Sequence, residues 1–272
     1  MHDMKIAAAI VNAPIGEVAR NLDRMARWTE LAADRGAELI CFPELNITGY
    51  CNRPELSRIA LPLASPEILR ISDMARSGEI VILAGLAEKG EGDRIFASHL
   101  VVHPDGRIEV YRKLHIAPPE RSVFTPGNEI PLFEAAGLSF GIQLCYDAHF
   151  PELAAAMAGK GAEAIFYPHA SPRGTPVEKH QSWMRHLTAR AFDNSLFVIA
   201  CNQTGENCNG LTFPGMAVVI GPSGDLLEKD ISGREGLLVV DLKRADLENV
   251  RGHEMRYFFP NRRPELYRRS PT

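Results

Sequence analysis

The sequence predicts one α/β domain over residues 1–272, built on mixed β-sheets, and three observations carry that expectation. Helical segments alternate with apolar, β-branched runs along the whole chain. Further strand pairs are separated by turn signals, so antiparallel hairpins are mixed with helix-linked strands and the sheets are not purely parallel. No linker-like composition shift, low-complexity segment or convincing repeat interrupts the 272 residues, which are ample for a large core.

The run KIAAAIVNA (5–13) reads as the first strand. A helix over 18–35 follows, because Leu22, Met25, Ala26, Trp28, Thr29 and Ala32 share one face, and Gly36 stands where a C-cap belongs. ELICF (38–42) reads as a strand buried on both faces, ending at Pro43 and Glu44. A Pro-containing loop leads to a shorter helix over 66–77, and Gly78 precedes strand EIVILAGLAE (79–88). IFASHLVV (95–102) and RIEVYRKLH (107–115) flank HPDG, where Pro-Asp-Gly signals a hairpin turn. After a Pro-rich loop (117–128), the segment 130–147 predicts a hairpin pivoting at Gly137. Its second strand alternates through Leu138, Phe140, Ile142 and Leu144 and stops at Cys145, with Pro151 opening a helix to 160. AEAIFYPHAS (162–171) is strand then loop, 178–194 has helical period, and SLFVIACNQ (195–203) is a buried strand. A third hairpin spans 215–229, and GLLVVDL (236–242) is the last strand before a short helix and an irregular basic tail.

Composition narrows the function classes. A formal charge of −4 gives no reason to expect nucleic acid or an anionic membrane as partner, and no apolar stretch approaches a membrane span. The first residues read as a strand rather than a signal peptide. Five cysteines form no disulfide framework, so a cytoplasmic location is expected. Cys201 and Cys208 do not resemble a zinc knuckle, the nine histidines include no HExxH, and neither GxGxxG nor GxxxxGK(S/T) occurs. These motifs give no support to a metal or a nucleotide cofactor.

Three strand ends carry chemistry. Glu44 follows LICFP, Lys113 ends IEVYR and Cys145 ends GIQL. Side chains at strand carboxyl ends converge on the ligand crevice in open α/β folds, and charges just beyond buried strands are costly unless paired or functional. Cys145 also precedes a helix start, where free N–H groups and the helix dipole favour thiolate over thiol. Each residue has a plainer reading: Cys145 as a small buried hydrophobe, Glu44 as a cap, Lys113 as a hairpin lysine reaching water.

The stretches CFPELNITGY, YRKLHI…ERSVFTPG and GIQLCYDAHFPEL resemble, in order, the signature blocks of the nitrilase superfamily of carbon–nitrogen hydrolases. ARAFDN, CNQTG and GPSGDLL extend the likeness over essentially the whole chain. The resemblance implies a four-layer α-β-β-α sandwich with two mixed sheets, and a Glu-Lys-Cys triad at Glu44, Lys113 and Cys145. It implies attack by the Cys145 sulfur, proton transfer through Glu44, and an oxyanion held by Lys113 and the Tyr146 backbone N–H. A thioester released by water would follow, with no metal or organic cofactor required. Glu120 matches a second glutamate that fixes Lys113; a loop carboxylate paired with Arg121 is the plainer reading. His149 departs from an arginine frequent in the family, and a histidine simply satisfied at a helix start is its plainer reading.

Tyr146-Asp147 resembles the amidase and carbamoylase branches, whereas true nitrilases usually carry Trp-Glu there. The expected substrate is therefore a small amide or N-carbamoyl (ureido) compound hydrolysed with release of ammonia. A nitrile is the alternative within the enzymes, and a catalytically silent binding subunit the alternative outside them. Tyr50 is a candidate pocket wall, and His169 and Arg173 are candidate ligands for a substrate carboxylate; a core-edge tyrosine and a surface arginine are the rivals. Homodimers or larger homo-oligomers are implied, with the tail (about 251–272) against another subunit.

Overall fold

The computed structural model describes residues 2–267. The first half of the chain gives β1 (Met4–Ile10), α1 (Val18–Asp34), β2 (Leu39–Cys41), α2 (Pro66–Gly78), β3 (Val81–Lys89), β4 (Ile95–Val102) and β5 (Ile108–Arg112). Next come β6 (Phe133–Ala135), β7 (Leu138–Ile142), α3 (Pro151–Gly159), β8 (Ala164–His169), α4 (Pro176–Asn194) and β9 (Phe197–Asn202). A small ribbon, β10 (Gly205–Glu206) and β11 (Thr212–Phe213), precedes β12 (Ala217–Ile220), β13 (Leu226–Asp230) and β14 (Gly236–Leu242). The chain closes with α5 (Arg244–Arg251) and α6 (Pro264–Tyr267).

Two six-stranded mixed sheets result, in the orders β14-β1-β2-β3-β4-β5 and β13-β12-β9-β8-β7-β6. In each, three strands joined through helices run parallel (β1-β2-β3 and β7-β8-β9), and the outer strands pair antiparallel. The sequence shows no convincing repeat, yet both sheets follow this one β-α-β-α-β plan. The likeness lies in the path of the backbone and leaves no matching run of residues.

Period-two alternation explains the layering. From β1, Ile6, Ala8 and Ile10 enter the core between the sheets, together with Leu83, Phe140, Phe166 and Val219. Ala7 and Ala9 face the other way, with Ile40 and Ile82, onto Leu22 and Met25 of α1 and Ile68 and Ile71 of α2. On the far side, Leu153, Met157, Trp183 and Leu187 from α3 and α4 cover the second sheet. The product is an α-β-β-α sandwich. Of the face expected for α1, Leu22, Met25, Thr29 and Ala32 are buried, while Ala26 and Trp28 lie half-buried at its edge.

The expected turns form for the expected reasons. Ala136 and Gly137, at φ 47° and 74°, give the two left-handed residues that a tight β6–β7 hairpin needs. β1 ends at Ile10, before the expected boundary at Ala13, because Val11 and Asn12 bond to Thr204 and Glu235 instead of to a strand. α5 is docked by Arg251, which donates to the carbonyls of Ser195 (3.0 Å) and Ala162 (2.8 Å). Of the tail expected to meet another subunit, residues 268–272 lie outside the described residues. Among the described residues no helix is long and apolar enough to cross a membrane.

One side chain links the sheets where the chemistry-bearing residues lie. Asp147, fully buried after β7, accepts from Tyr111 Oη at 2.8 Å and from the Leu144 N–H at 3.0 Å. Its other oxygen accepts from the backbone N–H and Nδ1 of His115, both at 2.8 Å. Tyr111 and His115 stand two residues either side of Lys113, and Asp147 two beyond Cys145. His115 is further fixed by stacking on Phe150 at 3.7 Å. One carboxylate therefore ties the Lys113 segment to the Cys145 segment. Exchanging Asp147→Asn puts an amide donor against at least one of these donors, at a cost of about 3 kcal/mol. The expected outcome is a lower denaturant midpoint at unchanged slope; a wild-type midpoint would show that the tie contributes nothing to stability.

Candidate active site

Glu44 leaves β2 after Pro43 and is 1% exposed. The next residue, Leu45, has a left-handed φ of 54°, which turns the chain back onto β3. There the Gly85 N–H donates to Asn46 Oδ1 (2.8 Å) and the Ala87 N–H to Thr48 Oγ1 (3.0 Å). A Cβ on Gly85 would meet Leu45 N at 2.4 Å, so only glycine lets the loop approach this closely. Gln203 Nε2 holds the Glu44 carbonyl (2.7 Å), and the Ala170 N–H donates to Glu44 Oε2 (3.0 Å).

Lys113 follows β5, where strand alternation separates two adjacent cations. Arg112 faces outward in a bidentate pair with Glu88, whereas Lys113 turns inward and is 1% exposed. Its ammonium donates to Glu44 Oε1 and to Glu120 Oε2, each at 2.9 Å. Glu120 ends the 3₁₀ turn Pro118–Glu120, is 4% exposed, and also accepts from Tyr50 Oη (2.9 Å) and the Ala117 N–H (3.3 Å). Its side-chain partners among the described residues are thus Lys113 and Tyr50 rather than Arg121.

Cys145 opens the 3₁₀ turn Cys145–His149 with a left-handed φ of 43°. For a non-glycine residue that conformation costs about 1–3 kcal/mol, which the bonds at Asp147 offset. The expectation that a helix start favours the thiolate is not met. α3 begins only at Pro151, and burial pushes the Cys145 thiol well up, with the Glu44 carboxylate adding to the push. The Lys113 charge opposes both. The electrostatics of Glu44 follow the same logic. Burial raises its carboxyl above the usual range, Lys113 pulls it back and Glu120 pushes it up again. Burial alone would lower Lys113, but Glu44 and Glu120 hold it well above the usual lysine range. The cluster offers a protonated thiol, a carboxylate with raised proton affinity and a fixed cation.

The other expected residues fall in different surroundings. Tyr50 is buried against Phe213 and bonded to Glu120, within the charged cluster. His169 is buried, with Nδ1 on the Tyr167 carbonyl (2.7 Å) and its ring 4.1 Å from that of Trp183. Burial pushes its imidazole well below the usual range, so it presents no cation to a carboxylate. Arg173 is exposed at a left-handed φ of 70° and does not join Glu44, Lys113 and Cys145. His149 is also exposed, with its ring 4.9 Å from His186 and 5.7 Å from Tyr146; Arg190 from α4 holds the Ala148 carbonyl beside it (3.0 Å). Lys179, which falls within the helical period of 178–194 without being singled out, donates to Ser171 Oγ (2.8 Å) and the Pro172 carbonyl (3.1 Å). Among the described residues no group of three or more His, Cys, Asp or Glu side chains is arranged to hold a metal ion.

Comparison with known proteins agrees with this architecture. The chain is 30% identical to a nitrilase of Pyrococcus abyssi over 97% of its length and 99% of that protein's. It is 31% identical to an (R)-stereoselective amidase of a Pseudomonas species, over 91% and 88%. With an N-carbamoylputrescine amidase of Solanum tuberosum it shares 28% identity over 96% and 93%. Among solved structures, an amidase of Nesterenkonia carrying the acetamide moiety of fluoroacetamide at its active-site cysteine superposes with a TM-score of 0.84. It is 27% identical, over 97% of this chain and 95% of that one. The carbon–nitrogen hydrolase family pattern matches residues 7–252, and the chain belongs to that family, the nitrilase superfamily of hydrolases.

Proposed function

We propose that the protein hydrolyses a small amide or N-carbamoyl compound through Cys145, releasing ammonia and passing through a thioester. The observation that carries this reading is the Lys113 ammonium, 2.9 Å from both buried carboxylates, with the charges of all three acting on the Cys145 thiol. As the sulfur attacks the substrate carbonyl carbon, Glu44 takes the thiol proton, so the thiolate need exist only along the reaction path. The carbonyl electron pair moves to oxygen, where Lys113 and the Tyr146 N–H receive it. Tyr146 lies in the first turn of a 3₁₀ segment, whose leading N–H groups have no partner within it. Collapse of the intermediate breaks the C–N bond, and the leaving nitrogen takes the proton from Glu44. Glu44 then deprotonates a water that cleaves the thioester and restores the thiol. Glu120 positions Lys113.

Tyr146-Asp147, together with the amidase and N-carbamoylputrescine amidase names of relatives, supports amide or ureido substrates over nitriles. The free state of all five cysteines supports a reducing, cytoplasmic setting. We take residues 1–272 as one catalytic domain, with α3, α4 and the tail as the face for a second copy.

Ammonia release from amides, ureido acids and nitriles is expected with at least one amide or ureide. It should be essentially abolished in Cys145→Ala, and equal rates in the two proteins would dismiss the nucleophile. Trapping the acyl group during turnover should add its mass to Cys145. Raised above its usual value, Glu44 becomes a competent base only as pH climbs past that raised pKa, so kcat/KM falls on the acid side. Glu120→Gln removes one upward push on Glu44 and one support of Lys113. The acid limb should move to lower pH while kcat drops about tenfold or more; an unmoved limb with wild-type kcat would reduce Glu120 to scaffolding.

A further inference from the structure

Lys179 stands in the first turn of α4, and its head group is held with unusual economy. Two of its three N–H groups are taken, by Ser171 Oγ and the Pro172 carbonyl, and one remains. Among the described residues no carboxylate pairs with it, and the adjacent Glu178 is committed to the α4 cap through the Thr175 N–H (2.8 Å) and hydroxyl (3.0 Å). A half-buried ammonium without a counter-ion is costly, and burial pushes it below the usual lysine range.

Its platform is rigid and adjoins the reacting groups. Ser171 is clamped on both sides by Asn202 of β9, which accepts from its N–H (2.9 Å) and donates to its carbonyl (3.1 Å). The preceding residue, Ala170, donates to Glu44 Oε2. Consecutive Cα atoms are about 3.8 Å apart, so one short backbone step separates the contact to Glu44 from the contact to Lys179. The Lys179 charge reaches the Cys145 thiol and favours its ionised form. Arg173, two residues beyond Ser171, is turned out to solvent, and His169 is buried without charge. Lys179, reaching back from α4, is the cation whose head group is held against this loop.

We infer that Lys179, oriented by Ser171, forms an anion subsite beside Cys145 and selects amides or ureides that carry a carboxylate. The inference rests on Cys145 being the nucleophile. A carboxylate here would accept the free N–H of Lys179, and a cationic ureide such as N-carbamoylputrescine would meet like charge.

The test compares matched substrates: succinamate against butyramide, and N-carbamoyl-4-aminobutyrate against N-butylurea and N-carbamoylputrescine. In at least one set the anion should exceed its neutral partner about tenfold or more in kcat/KM, with the cation poorest. Lys179→Met should bring the anion-to-neutral ratio close to one, chiefly through KM, and Lys179→Arg should restore part of it. Using ratios removes any general loss from altered folding or a weaker thiolate. An equal slowing of all substrates, or an anion preference unchanged in Lys179→Met, would overturn the subsite. Turnover of neutral substrates that Cys145→Ala abolishes, without any anion preference, would overturn the subsite alone. No Cys145-dependent turnover of any amide or ureide would remove the hydrolase reading and the subsite together.

Discussion

Everything near Cys145 is subordinate to one electrostatic requirement: a lysine ammonium with no exposed side-chain surface must lie between two buried carboxylates. Desolvating each ion costs several kcal/mol, and mutual attraction offsets this only where geometry is good and the remaining lone pairs are satisfied. The surroundings supply those conditions one by one. The Ala170 N–H occupies the second oxygen of Glu44, and Tyr50 and the Ala117 N–H complete Glu120. Gly85 lets the Glu44 loop press against β3, and Gln203 pins the Glu44 carbonyl from the opposite sheet. Scaffold and cluster are the same set of contacts described from two sides.

The sulfur is governed by that cluster more than by its own backbone. Its left-handed turn is a strained position, and its thiol is raised by burial and by the Glu44 carboxylate. A protonated thiol is a weak nucleophile. In the proposed mechanism the base and the nucleophile are coupled from the outset, because the carboxylate that disfavours the thiolate is the group that would take its proton. Lys113 moderates both, which is why its own charge has to be secured by two partners rather than one.

Much of this was legible before the structure. Period-two and helical patterns located the elements, and three strand ends, placed in register with family blocks, picked out Glu44, Lys113 and Cys145. What escaped were partnerships between residues far apart in sequence. Asp147 reads as one more letter of the block around Cys145, although its bonds reach back 36 residues to Tyr111 and 32 to His115. Lys179 reads as a helix-surface lysine, since nothing local records that Ser171 and Pro172 fold over it. His169 has the polarity of a ligand residue, but its burial against Trp183 strips it of charge. The raised thiol is hidden for the same reason: proximity to a helix start is visible in the sequence, whereas desolvation is a property of the assembled interior.

The doubled β-α-β-α-β plan divides the labour in a way that bears on how the molecule comes into being. Acid, ammonium and second acid all lie at or before residue 120, on the sheet that the first half of the chain builds, while the sulfur belongs to the second. That first sheet is itself unfinished until β14, the last strand made, returns to pair with β1 along Met4–Ile10. During synthesis the newborn amino-terminal half therefore has an open, alanine- and isoleucine-rich border inviting stray partners. That border is covered only when the far end of the polypeptide comes home.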